Sequence, residues 1–232
     1  MATDQTLLDL AEQSGEGFLR LYRWSPYCLS FGRHEPALRR YDRAEIEKQG
    51  IDVVRRPTGG RSVWHARELT YAVAAPIEWF GTLPETYRSL HRILARALRD
   101  LGVDATLAAP APARGVGSGA CFAAAAGGEV LIGGRKLLGS AQLRQGTAFL
   151  QHGSLLLEDN QDVVAALTLG PTPPGGEITL RQAAGRQVFF DEAASSVAEA
   201  FQQSGGEWQL GTPTLDQSHL ARFRDAAWTW RR

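Results

Sequence analysis

Arg55-Arg56-Pro57-Thr58-Gly59-Gly60-Arg61-Ser62-Val63-Trp64-His65, with Glu68-Leu69-Thr70-Tyr71 close behind, is the stretch that decides how this 232-residue chain folds. A β-type run, Ile51 to Arg55, leads into it and another, Leu69 to Ala75, leads out, so Pro57 to Arg61 is a loop between strands. Adjacent glycines let backbone N–H groups approach a ligand without side-chain obstruction, and can form an anion-binding nest. The flanking arginines would add charge-assisted bonds to a carboxylate or phosphate. A plain hairpin turn with solvated arginines is the other reading. No Gly-Lys-Ser/Thr closes the loop, so it is not a P-loop.

Working outward, residues 3 to 13 predict a helix, with Leu7, Leu8, Leu10 and Ala11 on one side. Two β-type runs follow, Phe18 to Trp24 and Cys28 to Phe31, separated at Ser25-Pro26. Asp42 to Lys48 predicts a short helix that stops at Gly50. The clearest helix spans Pro84 to Leu101, where Leu90, Ile93, Leu94, Ala97, Leu98 and Leu101 recur at helical spacing. Thr82 and Glu85 make a capping-box pattern before it, and Gly102 ends it. Residues 108 to 119, rich in Ala, Pro and Gly, read as a long mobile loop of the kind that often carries function. Glu129 to Ile132 and Arg135 to Ala141 flank Gly133-Gly134 as a hairpin, and Phe149 to Leu157 is a further strand. Helical stretches at 160 to 169, 177 to 184, 190 to 203 and 214 to 225 close the chain. Strands that cluster around hairpins, with helices gathered late, predict an α+β fold with a largely antiparallel sheet. No internal repeat or linker divides the chain, so one domain over residues 1–232 is expected.

Three other segments carry chemistry. In Gly133-Gly134-Arg135-Lys136-Leu137-Leu138-Gly139-Ser140-Ala141-Gln142, Lys136 either grips a carbonyl oxygen as a point charge or lies on the hairpin surface. In Gln151-His152-Gly153-Ser154, His152 is either a satisfied core histidine or a base. Cys121 follows the long loop; it is a small buried hydrophobe or, with a lysine near it to favour the thiolate, a nucleophile. Cys28 lies in an apolar strand and reads as packing.

Lysine plus arginine and aspartate plus glutamate both number 25, so the basic surplus that would neutralise nucleic-acid phosphates is missing. No run reaches the ~20 apolar residues that span a bilayer, and Met1-Ala2-Thr3-Asp4-Gln5 has no signal-peptide character. Two cysteines without Cys-x-x-Cys spacing, and no His-Glu-x-x-His, argue against a disulfide framework or a zinc site. A cytoplasmic, metal-free protein that binds neither nucleic acid nor membrane is the expectation.

Taken in order, these segments resemble the lipoate/octanoate branch of the biotin and lipoate protein-ligase superfamily. Arg-Arg-x-Thr-Gly-Gly-Arg-x-Val-x-His resembles that family's acyl-binding loop, Gly-Arg-Lys-x-x-Gly-Ser-Ala-Gln its lysine loop, and Gln-His-Gly-Ser the strand that follows. Leu21 to Pro26 and Ser30 to Arg33 resemble its first hairpin, and Ala227-Trp228-Thr229 the tryptophan that closes its catalytic domain. The resemblance implies a class II synthetase, biotin-ligase-like sheet, mixed but mainly antiparallel, flanked by helices. It implies acyl contacts from Arg56, Thr58, Gly59, Gly60, Arg61 and His65 on one side. Gly139, Ser140, Ala141, His152 and Gly153 would supply the other.

Two chemistries come with the family. Ligases activate a free acid with ATP and magnesium and commonly carry an extra C-terminal domain. Octanoyltransferases take the acyl group from an acyl-carrier-protein thioester through a cysteine, without ATP. Cys121, fifteen residues before Lys136, matches the transferases whose nucleophile precedes the lysine hairpin. The closing tryptophan lies near residue 232, so no accessory ligase domain is expected. The expected reaction moves an octanoyl or lipoyl group through Cys121, with Lys136 against the carbonyl, to a lysine of a lipoyl domain or glycine-cleavage carrier protein. An ATP-dependent lipoate ligase and a non-catalytic acyl-binding relative are the alternatives. Ala66 follows His65 where the family usually has an aspartate.

Overall fold

The computed structural model describes residues 1–109, 128–172 and 175–231. Cys121, and the expected loop beyond residue 109, lie outside the described residues.

In chain order, helix α1 (Ala2–Ser14) leads to strands β1 (Phe18–Tyr22) and β2 (Cys28–Phe31) and helices α2 (Ala37–Arg40) and α3 (Arg43–Lys48). Strands β3 (Asp52–Arg55), β4 (Val63–His65) and β5 (Glu68–Pro76) precede the long helix α4 (Leu83–Asp100). Then come β6 (Thr106–Leu107), β7 (Val130–Ile132), β8 (Arg135–Lys136), β9 (Leu138–Gln145) and β10 (Ala148–Leu156). Helices α5 (Asp162–Leu167), α6 (Leu180–Ala184), α7 (Phe190–Gln202), α8 (Gln217–Arg224) and α9 (Ala226–Thr229) complete the described chain. The fold is α+β.

Among the described residues the strands form three sheets. The largest runs β1-β5-β10-β9, antiparallel throughout. A second runs β3-β2-β4, with β2 parallel to β3 and antiparallel to β4, and a small third runs β6-β7-β8. Alternation along β5 explains how the large sheet is covered. Leu69, Tyr71, Val73 and Ala75 share a core with Leu90, Leu94 and Leu98 of α4 and Val197 and Phe201 of α7. Ala72 and Ala74 point the other way and, with Ala148 and Leu150 of β10, meet Leu7, Leu8 and Ala11 of α1. Successive side chains leave a strand on opposite faces, so a sheet covered on both sides reads as a continuous apolar run. Both β5 and β10 are buried at every position.

Three local differences from the sequence reading have physical causes. The strand expected from Arg135 to Ala141 is divided at Leu137, whose side chain is fully buried. Lys136 stays in the small sheet while Gly139, Ser140 and Ala141 pair with β10 in the large one. The helix expected over 177 to 184 begins only at Leu180, because Thr179 caps it by accepting from the Gln182 N–H. The helix expected to start at residue 214 starts after Asp216, whose carboxylate accepts from the Ser218 N–H at 2.7 Å. The Thr82–Glu85 capping box is present as expected, with Glu85 accepting from the Thr82 N–H at 2.7 Å.

Candidate active-site cleft

The α1 face of the large sheet extends past the N-terminus of α1, where the apolar residues give way to Thr70, His152 and Ser154 at the same alternation. Opposite them stands the second sheet with the Gly59-Gly60 loop. The seam is a cleft enclosing about 330 Å³, part of it open to solvent. Arg56, Val63 and His65 line one wall; Gly139, Ser140, Ala141, His152, Gly153 and Ser154 line the other.

Each wall carries a carboxylate–imidazole–hydroxyl relay. On the large sheet, His152 Nδ1 lies 3.1 Å from Asp4 Oδ2 and its Nε2 lies 2.6 Å from Thr58 Oγ1. Burial lowers the His152 pKa more than Asp4 raises it, so the ring is neutral. Its Nδ1–H therefore donates to Asp4, and Thr58 donates to Nε2. Asp4 is fully buried; despite that burial, the Met1 amino group, His152 and Arg20 hold its carboxyl well below the usual range. Arg20 donates to it at 2.7 Å and Tyr22 at 3.2 Å.

On the other wall, His65 Nδ1 lies 2.7 Å from Glu68 Oε1 and Nε2 lies 2.6 Å from Ser30 Oγ. Ser154 and Thr70 also donate to Glu68 Oε1, whose companion Oε2 has no partner among the described residues. Trp24 stacks on the His65 ring at 4.4 Å and donates its Nε1–H to Thr70. The carboxylate that orients His65 thus comes from Glu68, three residues along, while Ala66 is buried. Ser30, His65 and Glu68 have the connectivity of a hydrolytic triad. Ser30, however, is completely buried and its Oγ already accepts from Arg56 at 2.7 Å.

The flanking arginines serve the chain itself. Arg56 donates to the Ser30, Gly59 and Arg61 carbonyls, which folds the loop around its guanidinium. Arg55, fully buried, points away and donates to the carbonyls of Gly32, Arg33, Glu35, Trp228, Thr229 and Arg231. Trp228 returns its indole N–H to the Arg55 carbonyl at 3.1 Å. Arg55, unremarked by sequence reasoning beyond its place beside the loop, is the staple for the C-terminal helices. Its signal was visible: an arginine inside an apolar β-run has to find acceptors.

Lys136 is 4% exposed and donates to Glu129 Oε1 at 2.6 Å, in the small sheet behind the cleft wall. Tyr87 of α4 donates to the same carboxylate at 3.3 Å. Beside this group His91 of α4, fully buried, contacts Gly128 O through Nδ1 at 2.7 Å and Ser140 Oγ through Nε2 at 2.9 Å. Sequence reading passed over His91, because one histidine at a helical core spacing carries no signal by itself. Cys28 is 5% exposed, and burial with the nearby Asp52 charge pushes its thiol up to about 12. It is a packing residue, since the thiolate is the reactive form. Among the described residues no group of histidine, cysteine and acidic side chains could hold a metal ion, and no helix is long and apolar enough to cross a membrane.

The cleft lies between the strands that flank the Gly59-Gly60 loop and two adjacent antiparallel strands, with a buried lysine behind one wall, an arrangement suited to a small acyl group; Thr58, Gly59, Gly60, Arg61 and Lys136 are not among its lining residues. Residues 1–202 match the model of the lipoyl protein ligase A/B catalytic domain, and the chain belongs to that family. It is 33% identical over 262 residues to octanoyltransferase LipM of Kyrpidia tusciae, covering 100% of this chain and 94% of that one. Among solved structures, lipoate-protein ligase A bound with ATP superposes with a TM-score of 0.76 at 21% identity, covering 99% of this chain and 92% of the other. A bi-partite lipoate protein ligase from Thermoplasma acidophilum, solved in a study with its E2 lipoyl domain, gives 0.71 at 20% identity, covering 99% and 91%. These structural likenesses establish the fold.

Proposed function

We propose that this protein transfers an octanoyl group from a carrier-protein thioester, by way of Cys121, to a lysine of a lipoyl-carrier protein. The observation that carries the reading is the end-to-end similarity to octanoyltransferase LipM, in a chain where Arg56 and His65 face Gly139 to Ala141, His152 and Gly153 across one cleft. Elimination supports the choice of nucleophile. The chain has two cysteines, and Cys28 is buried with its thiol held protonated.

The chemistry balances without an added reactant. The Cys121 thiolate attacks the thioester carbonyl carbon, the carbonyl–sulfur bond to the carrier breaks, and the carrier thiolate leaves and takes a proton. The lysine amine then attacks the acyl-cysteine, the second carbonyl–sulfur bond breaks, an amide forms, and the amine loses a proton. Thioester exchange is close to thermoneutral, so the first step needs no ATP; two successive half-reactions give ping-pong kinetics. Lys136 supplies positive charge behind the wall where the carbonyl oxygen develops charge. Ser140 and Ala141 line the same wall. Arg56, Thr58, Gly59, Gly60, Arg61 and His65 shape one side of the acyl site, and Gly139, His152 and Gly153 the other. His152 serves as a wall and not as the base, because Thr58 and Asp4 occupy both its nitrogens.

Incubation with octanoyl carrier protein should give a hydroxylamine-sensitive mass adduct, absent in Cys121→Ala, that passes to a lipoyl domain. Absence of an adduct with every acyl thioester would sink the reading. Formation of lipoyl-adenylate from lipoate, ATP and magnesium, indifferent to Cys121→Ala, would instead make the chain a ligase like its structural neighbour.

A further inference from the structure

We propose that His91 is a positioning residue for the cleft, acting through Ser140 to fix the wall Gly139–Ala141 against which the acyl carbonyl rests. This rests on the acyl-transfer reading of the cleft.

The argument starts from a chain of hydrogen bonds whose direction is forced. The Gly128 carbonyl can only accept, so His91 Nδ1, 2.7 Å away, carries a proton. Burial, helped by the charge of Lys136, pushes the His91 pKa down to about 4, so the ring is neutral and Nε2 is a lone pair. Ser140 therefore donates its proton to His91 Nε2 at 2.9 Å. Its oxygen is left to accept, and Tyr71 donates to it at 2.7 Å. Tyr71 in turn accepts from Gln151 Nε2 at 2.8 Å, and Gln151 Oε1 accepts from Gln142 Nε2 at 2.8 Å. Every proton runs one way, from β9 and β10 through β5 to α4.

The relay runs on the α4 face of the large sheet, directly behind the cleft. Ser140 and Gly153 are register partners, and Gly153 leaves the space that Ser140 and Tyr71 fill: a Cβ there would come within 2.5 Å of Ser140 Oγ and 2.7 Å of a Tyr71 ring carbon. The Ser140 backbone lines the cleft while its side chain is clamped from behind. A neutral imidazole suits the post because it offers one donor and one acceptor on opposite edges. The groups facing it are Tyr87 on its own helix, Ser140 of β9, the Lys136 charge from β8 with its partner Glu129, and Tyr71 beyond Ser140. A protonated His91 would offer no lone pair to the Ser140 hydroxyl proton, and the one-way relay would break at Ser140.

Octanoate serves as the probe, its affinity measured by calorimetry beside the rate of octanoyl transfer. His91→Phe and Ser140→Ala should each weaken octanoate about 10-fold, and the double variant no further than either single one. His91→Gln, whose amide offers a donor and an acceptor, should recover affinity to within about threefold of wild type. Independent, multiplying losses, or a glutamine variant as poor as phenylalanine, would overturn the proposal. Nitrogen NMR of labelled histidine decides it even where a variant fails to fold. His91 should show a protonated Nδ1 and bare Nε2 from pH 5.5 to 8, and any other state refutes the relay. Octanoate binding with this coupling but no transfer would defeat the proposed function and leave the positioning role standing. Failure to bind octanoate at all would defeat the positioning role.

Discussion

His91 and His152 show how burial fixes the charge of a side chain and through it the direction of a hydrogen bond. Both rings are buried and neutral, each with one nitrogen donating and one accepting. The same shift has a consequence for stability. His91 has a folded pKa of about 4 against 6.5 in an unfolded chain, so the unfolded state binds the extra proton first as pH falls. Stability is fully present above pH 6.5 and is lost as pH drops toward 4, by up to about 3 kcal/mol across the window. His152 acts with the same sign. Urea unfolding at pH 6.5 and 4.5 should show a smaller loss for His91→Gln than for wild type; equal losses would mean that His91 is not held neutral. Such relays were not legible in the sequence. Thr58, Gly59, Gly60, Lys136 and His152 stood out because glycine pairs and isolated polar residues break an apolar pattern. Asp4 and His91 sit inside well-formed helical periodicities, and only tertiary contact reveals their partners.

At the scale of elements, the Gly-Gly loop depends on a glycine outside it. A Cβ on Gly32, just past the end of β2, would lie 1.8 Å from the Gly60 carbonyl oxygen and 2.7 Å from its carbon, both backbone atoms. Gly32→Ala must move the loop and should cost about 1–3 kcal/mol in urea unfolding. Gly59→Ala faces open space and should cost less than about 1 kcal/mol, although it lies in the motif itself. The reverse order would show that the loop is not pressed on β2. Arg55 supports the C-terminal helices in the same indirect way. A lysine cannot reproduce a planar fork that spans six carbonyls, so Arg55→Lys should lose about 3 kcal/mol and speed amide exchange in α8 and α9. Unchanged exchange there would leave the staple without a role. The helix–strand order and the Thr82–Glu85 cap could be read in advance because they are local. The break at Leu137, which puts Lys136 and Ser140 in different sheets two hydrogen-bonding systems apart, is set by where a leucine finds a core and could not.

Across the whole molecule, the cleft is the seam between two sheets. Among the described residues, Thr58–His152, His65–Ser154 and His65–Glu68 are hydrogen bonds that cross it. An acyl ligand lodged there would touch both walls, so binding should stabilise the sheets together. A ligand at 100 times its Kd adds about 2.7 kcal/mol to a protein that binds it only when folded. For a chain of this size that corresponds to a rise in Tm of roughly 5–10 °C. Octanoate at that excess should also slow amide exchange on both sides of the seam, in β2 and β4 as well as in β9 and β10. A ligand seated elsewhere, or on one sheet alone, would protect one set and leave the other at its free rate. That outcome would mean that the two relays face each other without serving a common site, and that the acyl group binds outside the seam.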